Sequence, residues 1–170
     1  MKRRMTTLLL GAILCCTSFA QSEVEEMLQT VSTKRVSLDY DFSSIGSTTI
    51  KGSGSLIING NCFKSNGNGL EISCDGSTRW TIDNFAKEVY IENASGTSDF
   101  LSNPEVFLNN VTSISISGKK ISGIWKDPAN GIESEFTLSN IKESELKEDC
   151  SEFTFDTTAI GSGWVVTDLR

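Results

Sequence analysis

KGSGSLIINGNCFKSNGNGLEISCDGSTRWTIDNFAKEVYIEN, residues 51–93, decides how the chain folds. It divides into short strand-like runs: KGSGSLIING, NCFKS, GLEISCDG, STRWTID and KEVYIEN. Asn59-Gly60, Asn66-Gly67, Asn68-Gly69 and Asp75-Gly76 fall at the junctions. Such pairs supply the positive backbone φ that tight hairpin turns require. Neighbouring antiparallel strands are expected, with one apolar face that something must cover.

Upstream, Val36, Leu38, Tyr40 and Phe42 alternate with Ser37, Asp39 and Asp41, so this strand also has one apolar and one wet face. Ile45-Gly46-Ser47 turns the chain into the next strand, where Ile50, Gly52, Gly54, Leu56 and Ile58 share a face. Glycines within a strand mark a bend or a close approach by another group, which predicts a curved sheet. Before these strands, Ser22 and Glu25 fit a capping box, and Val24, Met27, Leu28 and Val31 form a helical stripe.

Downstream, DFLSNPEVFLNN at 99–110 breaks the strand pattern. Ser102 or Asn103 can cap and Pro104 suits a first helical turn, predicting a short apolar helix with Val106, Phe107 and Leu108. Strands resume as VTSISIS, KKISGIWKD, GIESEFTLSNI, SEFTFD and GWVVTDLR, with a hairpin turn at Pro128 to Gly131. Nine or ten strands and two short helices make a mostly antiparallel domain.

The first twenty residues read as an export signal. Lys2, Arg3 and Arg4 precede an apolar run from Leu8 to Cys16, and Ser18-Phe19-Ala20 offers a small-x-small cleavage site. Cleavage after Ala20 would leave one domain of 150 residues beginning at Gln21. It removes three basic residues and no acidic ones, taking the net charge from −7 to −10. Such a surface repels phosphate backbones, so no nucleic-acid partner is expected. Acylation at Cys16 is the rival reading of the leader, but Cys15 is a poor residue to precede it.

Three cysteines remain: Cys62, Cys74 and Cys150. A hairpin over 61–75 centred on Asn68 would set Cys62 opposite Cys74. A disulfide between them and a pair of buried thiols are both open readings, and the odd third cysteine weighs against a designed framework. The chain has no histidine. The usual base for a serine or cysteine nucleophile is therefore missing, and a zinc site of the usual kind is not expected. Acidic residues alternate with apolar ones along strands and read as a solvated face. Nothing points to an enzyme or a cofactor.

Gly52-x-Gly54-x-Leu56, Asn61-x-Phe63, DGSTRWTID at 75–83 and KEVYIEN at 87–93 together resemble the periplasmic carriers of outer-membrane lipoproteins, the LolA-like proteins. SNPEVFL, LSNIKESEL, FTFD and VVTDLR extend the resemblance over nearly all of the chain beyond the leader. The weight lies in the order and spacing of these pieces, since none is unique alone. The resemblance implies a mainly β (α+β) fold: a curved, incomplete antiparallel β-barrel with short helices covering its concave face. It implies a monomeric periplasmic chaperone that shields lipoprotein acyl chains. An inner-membrane lipoprotein-releasing transporter and an outer-membrane acceptor are the partners it implies. Leu56, Ile58, Phe63, Trp80 and Ile82 are then expected to line the cavity, with Met27, Leu28, Val106 and Phe107 on the inner side of the lid. Better-known members of the family carry an Arg-Pro pair whose arginine helps hold the lid, and no arginine stands near Asn59-Gly60 here. Rival readings are an envelope lipoprotein-sensing module, a lipid-anchored outer-membrane acceptor, and a structural β-domain with a solid core.

Overall fold

The computed structural model describes residues 26, 29–46, 49–94 and 109–170. The export signal, Met27, Leu28, Val106 and Phe107 lie outside the described residues. Among these residues ten strands follow in chain order: β1 (Arg35–Ile45), β2 (Lys51–Asn59), β3 (Cys62–Gly67), β4 (Leu70–Cys74), β5 (Thr78–Asp83), β6 (Glu88–Asn93), β7 (Val111–Ser117), β8 (Lys120–Lys126), β9 (Glu133–Ser144) and β10 (Val165–Asp168). They form one open, curled sheet in the order β10-β6-β5-β4-β3-β2-β1-β9-β8-β7, mainly β and not closed into a barrel. Among the described residues helix is scarce, and residues 29–33 form a helical turn just ahead of β1.

The run that opened the sequence folds as a meander, β2 to β6, each strand antiparallel to the last. Asn68 (φ 53°) and Gly69 (φ 80°) make the β3–β4 hairpin a two-residue turn with both central residues left-handed, the geometry that matches strand twist. This turn sets the register: Gly67 faces Leu70 and Phe63 faces Cys74. The hairpin is thus centred between Asn68 and Gly69, not on Asn68, and Cys62 is not opposite Cys74. A one-residue offset puts the two cysteines on opposite faces.

One further expectation is corrected. SEFTFD is not a strand: Ser151–Phe153 is a 3₁₀ turn, and the segment lies across the sheet. Its period-two apolar residues imitate a strand because a single extended segment packing on a surface also points alternate side chains inward. The sheet is mostly antiparallel, as expected, and β10 pairs with β6 in parallel at one edge.

The sheet carries two cores, one on each face. The first holds Val36, Leu38, Leu56, Ile58, Phe63, Cys74, Ile121, Phe136 and Leu138. The second holds Trp80, Ile82, Val89 and Ile91, covered by Phe155, Ile160 and Trp164. Register shows that the faces differ. On the first face the rung runs Ile58–Phe63–Cys74 and continues to Arg79, whereas Trp80 pairs with Ser73 and Ile91. The apolar side of the sheet changes across β4.

Four ties hold the C-terminal cover on the second face. Cys62 is bonded to Cys150, 88 residues away, and Cys74 is a buried thiol outside that bond, its Sγ 3.9 Å from the Asn61 carbonyl, which overturns a Cys62–Cys74 disulfide. The buried Asn59 side chain donates to the Lys147 carbonyl at 2.8 Å and accepts from the Lys147 N–H at 2.9 Å. Arg35 grips Glu152 through both carboxylate oxygens, at 2.5 and 3.0 Å, and lies 5.5 Å from the Phe153 ring centroid. The buried Ser73 hydroxyl donates to the Phe153 carbonyl.

Candidate lipid-binding cleft

The wall expected from sequence is divided by the fold. Leu56, Ile58 and Phe63 do come together, in the first core, at 0, 4 and 2 % exposure. They are packed by neighbours rather than facing an opening. Trp80 and Ile82 are equally buried but on the other face, under the C-terminal segment. They share no surface with Leu56, Ile58 and Phe63. Strand alternation tells which residues of one strand point together; it does not tell to which side of a ten-stranded sheet they point.

Open apolar space lies elsewhere on the first face, between the helical turn and the sheet. A cleft of about 500 Å³ is lined by Val31, Val36, Leu38, Ile116, Ile121 and Ile141, with Thr30 and Gly118. Val36, Leu38 and Ile121 form its buried floor, and Val31 and Ile141 pack against the first core beside them. The chain builds this floor from three strands. Val36 and Leu38 come from the alternating β1 run, Ile121 pairs with Leu138 between β8 and β9, and Ile141 follows an irregularity where β1 and β9 lose register. Asn140 adopts φ 53° there, and a bulge of this kind sharpens twist and re-aims the side chains beyond it. Glu26, Lys119 and Glu143 are the charged, exposed members of the lining.

Further along the same face, the chain fills its own space. A Cβ at Gly54 would meet the Tyr40 hydroxyl at 2.6 Å and the Asn66 carbonyl closer still, and one at Gly52 would run into the Phe42 ring. The two strand glycines therefore make room for aromatic rings of β1 lying across β2, where Tyr40 faces Gly54 and Phe42 faces Gly52. Tyr40 Oη also sits 3.3 Å from Ser65 Oγ. The close approach that glycines within a strand mark is here that of the protein's own rings.

A second depression, of about 540 Å³, has Asp41, Ser43, Lys51, Ser53, Glu135 and Thr137 among its lining residues. Its polar walls suit water better than hydrocarbon. Shifted carboxylates sit at turns and at the cover instead. Burial alone would push Asp75 up, but the Thr78 and Ser77 N–H groups and the Ser77 hydroxyl outweigh it and hold the carboxyl below its ordinary value. At Glu152 the Arg35 hydrogen bonds, helped by the charges of Arg35 and Lys147, hold the carboxyl down against burial. Both have structural partners, so neither is poised as an acid or base. Among the described residues no group of three or more aspartate, glutamate, cysteine or histidine side chains could hold a metal ion.

Of the cleft residues, Val36, Leu38 and Val31 were visible in sequence as apolar stripes but had no assigned place in a site. Ile121 and Ile141 needed the strand order, which brings β8 and β9 beside β1 across a long stretch of chain. No protein-family model matches the chain, and a search of curated proteins finds no significant match.

Proposed function

We propose that the protein is a carrier that shields acyl chains of exported lipoproteins, in the manner of the LolA-like proteins it resembles. In this reading the leader directs it to the periplasm and is removed after Ala20. Cargo arrives from an inner-membrane releasing transporter and is passed to an outer-membrane acceptor. The incomplete barrel of that family corresponds to the curled sheet, and part of its lid to the helical turn at 29–33. The observation that carries the proposal is the apolar cleft between the helical turn at 29–33 and the floor of Val36, Leu38 and Ile121. Each buried methylene of a guest chain contributes roughly 0.8 kcal/mol, so an apolar slot covered by a short helix holds a tail firmly yet can reopen.

The resemblance implies contact at Leu56, Ile58, Phe63, Trp80 and Ile82, with Met27, Leu28, Val106 and Phe107 on the lid; the present proposal puts it at Val36, Leu38, Ile121 and Ile141, which line the cleft. A solid structural domain is the competing reading, supported by the tight first core and the rings over Gly52 and Gly54. One experiment separates them. The exported protein, purified from its host, is analysed by native mass spectrometry and titrated with an acylated lipopeptide, beside an Ile141→Glu variant. A carrier retains or binds acylated material and Ile141→Glu loses it while staying folded. Absence of binding by the folded wild type would sink the proposal and leave the structural domain.

A further inference from the structure

We infer that β7, the strand at one edge of the sheet, pairs through its main chain with the extended peptide tether of an acylated cargo whose tail lies in the cleft. This rests on the carrier reading and adds how the protein part of the cargo is held.

The two edge strands of the sheet differ. β10 is four residues long and is followed by a charged pair, Asp168 with Arg170 at 2.7 Å. Short, charged edges resist pairing with other chains. β7, VTSISIS, runs for seven residues without a charge or a proline, and among the described residues no strand lies beyond it. Its irregularity, between Val111 and Ser113, leaves residues 113–117 in regular register with β8. Gly118 (φ 61°) and Lys119 form a two-residue turn, closed by Ser117 opposite Lys120. The closing pair of such a turn exchanges hydrogen bonds, and bonded and non-bonded pairs alternate from there. Ser117, Ser115 and Ser113 therefore bond to β8, and Ile116 and Ile114 turn their N–H and C=O groups outward.

Side chains along a strand alternate with the same period of two. Ile114 and Ile116 both face the first core's side of the sheet, where Ile114 packs on that core and Ile116 lines the cleft. Ile116 thus meets the apolar space with its side chain and the outer edge with its main chain. A tail lying in the cleft sets the acylated first residue of its protein near the C-terminal end of β7, because Ile116, Gly118 and Lys119 are the lining residues there. The peptide leaving along the edge runs from Ile116 towards Ile114, against the direction of β7, so the added strand is antiparallel. Such pairing draws its affinity from main-chain hydrogen bonds rather than from particular side chains. A carrier of cargoes that share only an acylated N-terminus requires that tolerance. A second copy of the chain would gain the same edge bonds but put nothing into the cleft.

The test titrates the full exported protein with two probes, a triacylated cysteine amide and the same anchor extended by a short run of serine and alanine, both below their micelle concentrations. The extended probe is expected to bind about tenfold more tightly or better. The amide nitrogens of its tether are then methylated one at a time. Those that face β7 should each weaken binding roughly fivefold, the loss of one hydrogen bond, and those between them should not, giving an alternation of period two. Ile114→Pro removes an outward donor and leaves the β8 ladder its bonds, a place where an edge strand accepts proline. It should weaken the extended probe by a similar factor and leave the bare anchor's binding unchanged, with circular dichroism checking the fold. Equal binding of the two probes, or a flat methylation profile, overturns the edge assignment while the carrier reading stands. A wild-type dimer in sedimentation that Ile114→Pro dissociates gives the edge to a second copy and overturns it too. If neither probe binds the folded protein, the carrier reading falls and takes this inference with it.

Discussion

Ser73 and Cys74 are adjacent in β4 yet belong to different cores. Cys74 packs with Phe63 on the first face, and the Ser73 hydroxyl donates to the Phe153 carbonyl on the second. A strand buried on both sides has no wet face. The same holds one and two strands away, where Cys62 and Phe63 in β3 and Ile58 and Asn59 in β2 are neighbours buried on opposite faces, as in central strands of sheets covered on both sides.

Cysteine connectivity gives the first prediction. Peptide mapping of the oxidised protein should recover Cys62 linked to Cys150, with Cys74 reacting with a thiol reagent only after unfolding. Cys62→Ser or Cys150→Ser should lower stability by about 2–4 kcal/mol, since the bond closes a long loop. Recovery of a Cys62–Cys74 peptide would contradict the register of the β3–β4 hairpin.

The second concerns Trp80. Its ring is 7 % exposed beneath the C-terminal segment. Trp80→Ala should cost about 3–5 kcal/mol of stability, read from denaturant midpoints. Under conditions where the variant still folds, lipid binding should be unchanged, whereas Leu38→Glu or Ile121→Glu in the cleft floor should weaken binding. Loss of binding in folded Trp80→Ala would return this residue to the site.

The third concerns the strand glycines. At Gly52 the obstacles to a Cβ are side chains, Phe42 and Asn68; at Gly54 they include the main-chain carbonyl of Asn66. Both Gly52→Ala and Gly54→Ala should destabilise by about 1–3 kcal/mol. Adding Phe42→Leu should recover much of the loss at Gly52, while Tyr40→Leu should recover little at Gly54. Equal rescue at the two sites would show that the backbone contact is not the obstacle.

The fourth is a pH dependence. Glu152 has its folded carboxyl held below the ordinary value of 4.5, chiefly by Arg35. A depressed carboxyl contributes stability that is present above its unfolded value and lost as pH falls through the folded one. The denaturation midpoint should therefore drop as pH falls below the ordinary carboxyl value of 4.5, and drop less in Glu152→Gln. The pair is partly exposed, so added salt should shrink the difference. An identical acid slope in the variant would remove Glu152 from the account.

Much of the architecture was legible because period-two alternation is a local property. Val36 to Phe42, Trp80 with Ile82, and Val89 with Ile91 announced their strands and their inward sides. Asn-Gly at 68–69 announced its turn. What stayed hidden was relational. Whether Trp80 shares a face with Phe63 depends on counting rungs through β4, and one residue of error at a turn reverses the answer. The same single residue decided the cysteines. β10 was recognised as a strand, but a parallel return to β6 carries no turn signature near it. The cleft was hidden for the same reason, since Ile121 and Ile141 meet Leu38 only through strand order.

The two-residue turn at Asn68-Gly69 also has a consequence for the order in which the chain matures. A chain delivered N-terminus first presents Cys62 and Cys74 together long before Cys150 arrives, so an oxidant would meet the wrong partners first. Closing the β3–β4 hairpin sends those two thiols to opposite sides of a forming sheet. The turn thereby keeps Cys62 unpaired until residues 147–153 lie down over it. Correct pairing is guarded by the register of one short hairpin, before any of the second core exists.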